Sequence, residues 1–393
     1  MSGFLDESEA AYWRSQWHLA PGVTYLNHGS FGPPPQAVRA ARRAWQEQMD
    51  AQPMEFFFRQ LEPAWFQSRQ RLAGLLGAEE RNLVFAENAT AAMNVLAHSL
   101  RLGPGDEVLL TDHEYGAVQR IWRHAVESAA GAVLATASLP LPIEAADQVV
   151  EAIFAAVTER TRLLVVSHIT SPTAVTLPVE PIVAEAKRRG ILVCIDGPHA
   201  VAQLPLELER LGCDFYCASC HKWLSAPFGS GFLYVAPQHH GLIRTPLTSW
   251  GRLPPGRLET WSDEFIWYGT RDFSPYLTIP AAIDFLEQVG FDRFRRHTHA
   301  LAQYARQRLV ELTGQTPILP DSPDWYGCMA HVPLPPGDAA ALQRQLWADE
   351  RIEVPIVAWK DRRWIRVSCH LYNTCHEIDR LVEAVDKRMK DEG

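Results

Sequence analysis

No stretch of the sequence carries a dense stripe of lysine and arginine, and 37 basic against 46 acidic residues leave a formal net charge of −9. An electrostatic footprint for nucleic acid or an anionic lipid surface is therefore missing, and an anionic ligand must be met by positive groups placed locally. Long apolar runs are missing as well: no segment approaches the roughly 20 residues that cross a bilayer. The opening MSGFLDESEAAYWRSQW is acidic and lacks an apolar targeting core, so a cytoplasmic protein without membrane association is expected. Cysteine is scarce, seven in 393 residues, and the odd number suits reduced thiols better than a disulfide framework. Cys213, Cys217 and Cys220 cluster beside His221, but no second ligand pair follows at finger-like spacing, so no metal is expected. Walker loops, dinucleotide fingerprints, internal repeats, low-complexity tracts and a basic helix-turn-helix region are also lacking.

What is present is the mix of a globular protein, 47% hydrophobic and 21% charged. A chain of 393 residues exceeds what one core usually supports, so two domains are expected: a large one over residues 20–285, and a small α+β one over residues 286–393 joined by residues 1–19. From about residue 85, strand-like runs alternate with helical patterns: EVLLT, GAVLATA, RLLVVSH and ILVCID, separated by amphipathic segments at 116–130, 145–157 and 179–189. That alternation predicts an α/β fold with parallel strands and crossover helices. DFYCAS and GFLYV continue the strands, helices are predicted over 276–288 and 291–313, and CMAHV, RIEVPI and RWIRVS are strand candidates of the small domain.

Parallel sheets of this kind bind ligands beyond the carboxyl ends of their strands, where Asp196, Ser171 and His221–Lys222 stand. Asp196 closes ILVCID, and a carboxylate there either caps the next turn or meets a buried partner. Lys222 follows a strand in ASCHKW; alone it is an ordinary lysine, but in an apolar crevice it is favoured as a neutral, nucleophilic amine. Ala89 and Thr90, in ENATAAMN, open an amphipathic helix whose free N–H groups favour an anion, although a plain helix cap reads the same way. A lysine, an acid and a phosphate cradle at strand ends are what pyridoxal 5′-phosphate (PLP) requires.

These residues carry a resemblance. YLNHGSFGPPP, DHEYGAV, SHITSP, IDGPHA, DFYCASCHKWL, GTRD and IRVS…YNT stand in the order found in fold-type-I PLP enzymes of the class V aminotransferase family, most similar to its isopenicillin N epimerase branch. The resemblance implies a mainly parallel seven-stranded sheet in the large domain. It implies Lys222 as the Schiff-base lysine and Asp196 as the acid at the pyridine nitrogen. Tyr115 falls where relatives stack a ring on the cofactor, and His199 where they bond its phenolic oxygen. Ser219, His221 and Thr90 fall at the phosphate, and Ser171 stands where desulfurases have an asparagine beside the cofactor. Gly269–Thr270 matches a segment that reaches the phosphate from a neighbouring subunit, which implies a homodimer. Arg366 matches the arginine that holds the substrate's α-carboxylate, and Asn27 falls at the substrate pocket, a place where it also suits a turn.

Fold does not choose among the reactions of this family. Desulfurases need a mobile thiolate shortly before the carboxylate arginine, and RIEVPIVAWKDRRW has no cysteine; Cys328 opens a strand pattern, where a thiol is packed and inert. The expected activity is epimerisation at the α-carbon of an amino-acid-type small molecule, with Lys222 as acid/base on one face and His28 or Tyr115 on the other, or Lys222 alone. A C–S β-lyase acting on a cysteine conjugate or sulfoxide is the alternative, followed by transamination and then by a non-catalytic PLP-binding module.

Overall fold

The apolar runs become strands close to where their patterns place them in the computed structural model, which describes residues 3–392. In chain order the strands are β1 (Thr24–Tyr25), β2 (Leu83–Ala86), β3 (Glu107–Thr111), β4 (Val133–Ala137), β5 (Thr161–Ser167) and β6 (Leu192–Asp196). They continue with β7 (Phe215–Ser219), β8 (Gly231–Val235), β9 (Met329–Pro333), β10 (Ile352–Glu353), β11 (Ile356–Trp359) and β12 (Arg362–Ser368). Seven form one sheet in the order β2-β8-β7-β6-β5-β3-β4, in which only β8 runs against its neighbours. Both faces of that sheet are buried. Leu163, Val165, Cys194 and Cys217 pack into one apolar cluster while Leu164, Val166, Ile195 and Ala218 pack into the other, which is why these strands read as continuous apolar runs rather than as alternation.

Crossover helices Ala89–Ser99, Gly116–Ser128, Ala146–Ala155 and Val179–Arg188 join the parallel strands. Parallel register puts Ser167 opposite Asp196 and Asp196 opposite Cys217, so the ends of β5, β6 and β7 lie side by side. The start of the first crossover helix reaches the same edge because β8 offers a glycine: a Cβ on Gly231 would stand 2.6 Å from the Ala218 carbonyl oxygen and 2.8 Å from Asn88 Cα. Only a residue without a side chain permits that approach.

A second, antiparallel sheet, β11-β12-β9, packs with helices Phe291–Thr313, Ala339–Glu350 and Cys375–Glu392 around Leu301, Leu342, Ile365 and Leu381. The segment predicted as one strand, RIEVPI, is two. β10 pairs with β1, the chain bends at Pro355, which has no N–H to donate, and β11 pairs with β12. The helix predicted over 276–288 is likewise broken, into Ser274–Leu277 and Ile279–Val289. Pro280 cannot donate to the Tyr276 carbonyl, which accepts the Ser68 hydroxyl instead at 2.5 Å. Pairing of β1 with β10 and a bridge between Asn27 and Ser368 carry the N-terminal segment across the small sheet and deliver Gly29–Phe31 to the edge where β5 to β7 end.

Candidate active site

A crevice opens at that edge, bounded by the ends of β6 and β7, the first turn of helix Ala89–Ser99, the loop after β3 and the small sheet's Arg366. At its floor Asp196 is 4% exposed, and its carboxyl makes no side-chain hydrogen bond among the described residues. Burial pushes its pKa well above the usual carboxylate range, with the nearby Lys222 opposing. An acid held this way is a receptor for a buried cation or N–H donor.

Lys222 lines the same crevice, and its Nζ lies 2.9 Å from His199 Nε2. The proton on that ring is assigned by geometry. Trp223 Nε1–H, a donor only, points at His199 Nδ1 at 3.3 Å, so Nδ1 accepts and Nε2 carries the hydrogen. His199 is 1% exposed, and burial holds it neutral, its pKa far below the ordinary histidine range. Nε2–H therefore donates toward Lys222, whose amine must be neutral to accept. Burial, reinforced by the positive charge of Arg366, lowers the Lys222 pKa in the same direction.

Opposite these groups lies an anion cradle. Asn88 caps the helix by accepting from Ala91 N–H at 2.9 Å, and Ser219 Oγ accepts from Ala89 N–H at 2.9 Å. Thr90 N–H is left in that turn without a protein acceptor among the described residues. The Ser219 hydroxyl and half-buried His221, whose Nδ1 is buried without a partner, face the same space. Helix dipole, a free N–H and a hydroxyl are together the chemistry that favours an anion such as phosphate.

Arg366 is 5% exposed and makes no ion pair among the described residues; burial lowers its pKa to about 10. Its Nη1 donates to the Ser171 carbonyl and, at 3.3 Å, to Ser171 Oγ, while Nη2 donates to Ser30 Oγ at 3.0 Å. Ser171 is thus engaged with the arginine. Nε is buried and unpartnered, so the guanidinium is held in place and keeps its charge uncompensated, ready for a carboxylate. Tyr115, expected as a ring stacked on the cofactor, is 49% exposed and lines the crevice.

Four of the expected residues lie elsewhere. His28 is completely buried and does not line the crevice; its Nε2 bonds the Lys222 carbonyl and its Nδ1 the Tyr372 hydroxyl, both at 2.9 Å. Asn27 turns away from the crevice, its Nδ2 donating to Glu353 at 3.3 Å. Gly269 and exposed Thr270 are not among the residues lining the crevice, although their neighbours Tyr268 and Arg271 bond Glu87, just before the cradle. Residues the sequence reading missed include Ser30, legible in the quoted YLNHGSFG segment, and Trp223, adjacent to Lys222 but without a signal of its role. Six of the seven cysteines are buried, and the Cys328 thiol, beside Thr298, is pushed up to about 12 by burial.

The family model described as Aminotransferase class-V matches residues 34–381. The chain is 42% identical over 395 residues to isopenicillin N epimerase of Amycolatopsis lactamdurans, covering 96% of this chain and 98% of that one. It is 31% identical to putative L-cysteine desulfhydrase 1 of Oryza sativa subsp. japonica, covering 95% and 85% of the two chains. In fold it is similar to the cystine C–S lyase C-DES, solved in complex with its reaction product cysteine persulfide: TM-score 0.80, 22% identity, 93% and 98% of the two chains covered. The expected fold-type-I architecture is therefore present.

Proposed function

Because the chain belongs to the class V aminotransferase family of PLP-dependent enzymes, we propose that it is an epimerase, inverting the α-carbon of an amino-acid-derived substrate. The crevice fits the cofactor on three independent points: a free anion cradle at Thr90, Ser219 and His221, a neutral amine at Lys222, and a buried acid without a hydrogen bond at Asp196. PLP, when bound, supplies an electron sink that lowers the cost of removing the α-proton. Everything else falls to the chain.

Asp196 would hold the ring nitrogen protonated, and His199 Nε2–H would be the donor available to the phenolic oxygen. Arg366, its two nitrogens fixed by Ser171 and Ser30, orients the substrate carboxylate by two parallel hydrogen bonds. Lys222 would be the residue that anchors the cofactor, and its lowered basicity leaves its amine neutral enough to take an α-proton. Tyr115 is the crevice residue best suited to return a proton on the opposite face. Gly269 and Thr270 serve a neighbouring subunit's phosphate in a homodimer.

The observation that carries this reading is the uncompensated Arg366 charge in one crevice with Lys222 and Asp196, together with similarity to an isopenicillin N epimerase over nearly the whole chain. Similarity to an L-cysteine desulfhydrase favours C–S lysis as the second reading. The test is the loaded protein and its Lys222→Ala variant, each given single enantiomers of α-amino acids and aminoadipyl peptides and followed by chiral chromatography. The wild type interconverts the enantiomers and is trapped covalently by borohydride, and the variant does neither. Pyruvate and ammonia from a cysteine conjugate, with no interconversion, establish the lyase instead.

A further inference from the structure

We propose that His28 and Tyr372 form a brace that positions Lys222 through its backbone, a role distinct from proton transfer to substrate. The inference rests on the reading of Lys222 as the cofactor lysine and adds two residues that act on it from behind.

The Lys222 carbonyl can only accept, so the His28 nitrogen facing it at 2.9 Å, Nε2, carries a hydrogen. Full burial lowers the His28 pKa to about 3, so the ring is neutral and Nδ1 is bare. Tyr372 must then be the donor to Nδ1. The relay runs one way: Tyr372 O–H to His28 Nδ1, His28 Nε2–H to the Lys222 carbonyl. A second donor, Ser225 N–H, reaches the same carbonyl at 2.8 Å, so both lone pairs are occupied. That second bond needs Ser225 at φ 55°, a left-handed conformation that serine adopts at a cost.

The surroundings keep the brace dry and tight. His28 stacks on His370 at 4.0 Å between ring centres, and Tyr372 and Trp223 flank it. Gly32 closes the remaining side: a Cβ there would lie 2.5 Å from His28 Nε2 and 2.8 Å from the Lys222 carbonyl oxygen. Tyr372 lies just past β12, the strand that carries Arg366, so the segment after that strand reaches the lysine's backbone through His28.

The side-chain amine of Lys222 faces Asp196, His199, His221 and Arg366, and none of these touches the Tyr372 hydroxyl. If the brace fixes the amine against His199 in its buried place, loosening it lets the amine relax toward water and regain basicity. The readout is the rate at which cofactor-free protein captures PLP covalently, measured against pH by borohydride trapping.

In the wild type, half-maximal capture lies well below the ordinary lysine range. In His28→Leu and Tyr372→Phe the midpoint moves to higher pH by about one unit, making capture at neutral pH roughly five-fold slower. His28→Gln, which can offer an amide N–H to the same carbonyl, recovers most of the loss. Folded His28→Leu and Tyr372→Phe proteins with the wild-type profile overturn the brace. Should His28→Leu not fold, Tyr372→Phe, which removes a single oxygen, decides alone. Absence of capture at Lys222 in the wild type itself is a separate result, which defeats the reading of the cofactor lysine and the brace with it.

Discussion

Lys222 Nζ and His199 Nε2 stand 2.9 Å apart with the hydrogen on the histidine side, an orientation imposed from outside the crevice by Trp223. A neutral histidine that can only donate at Nε2 favours an unprotonated lysine beside it and, in the loaded enzyme, a negatively charged phenolic oxygen. Trp223→Phe frees Nδ1 and with it the choice of tautomer. The visible absorbance of the loaded variant, titrated against pH, has its midpoint at higher pH than the wild type by about one unit. An unchanged midpoint means that Trp223 does not set the tautomer.

The role proposed for Arg366 is that of a planar fork on a carboxylate, and lysine is no substitute for a fork. Arg366→Lys keeps the charge but loses one of two parallel hydrogen bonds and the contacts with Ser171 and Ser30. KM for the substrate rises roughly ten- to a hundred-fold with a smaller change in kcat. A loss confined to kcat places the carboxylate elsewhere.

Tyr115 brings an exposed phenol to the crevice, and the two faces of the α-carbon separate its role from that of Lys222. If Tyr115 serves the second face, Tyr115→Phe still exchanges the α-proton of one enantiomer with deuterated solvent while inversion slows by about a hundred-fold. Equal loss or equal retention of exchange and inversion makes Lys222 the only acid/base.

Glu114 sits beneath the site, 3% exposed, accepting from Thr111 Oγ1 at 2.7 Å and from Ser167 N–H and Oγ at 3.1 and 2.5 Å. Burial nevertheless raises its pKa from 4.5 to about 7. The folded state therefore binds the proton more tightly than the unfolded state, so this stabilising contribution is complete below the ordinary glutamate range and is lost as pH rises through about 7. In urea unfolding, Glu114→Gln gains relative to the wild type between acid and alkaline pH by on the order of 3 kcal/mol. A difference independent of pH shows that folding does not raise the pKa of this carboxyl.

The strand ends were the legible part of the site. Asp196, Ser219 and Lys222 follow apolar runs whose two-sided burial made them recognisable, and Asn88 to Thr90 announce a helix start in any context. Residues positioned by distant partners were not legible. The path of Asn27 to Phe31 depends on pairing with a strand more than 300 residues later, so nothing nearby told that His28 faces the back of Lys222 rather than the crevice. Phe56, in the aromatic run FFF, is 1% exposed in the core, and Arg271 lies against Tyr268 and bonds Glu87. Aromatic and basic character alone does not separate a pocket wall from a packed interface.

Proton NMR of the loaded protein in deuterated water, with L-amino acids, cysteine conjugates and aminoadipyl peptides offered in turn, tests the central claim most directly. Epimerisation predicts loss of the α-proton signal from at least one of these, with the amine retained and both configurations appearing at the α-carbon. Release of pyruvate and ammonia with no second stereoisomer contradicts it and makes the protein a C–S lyase.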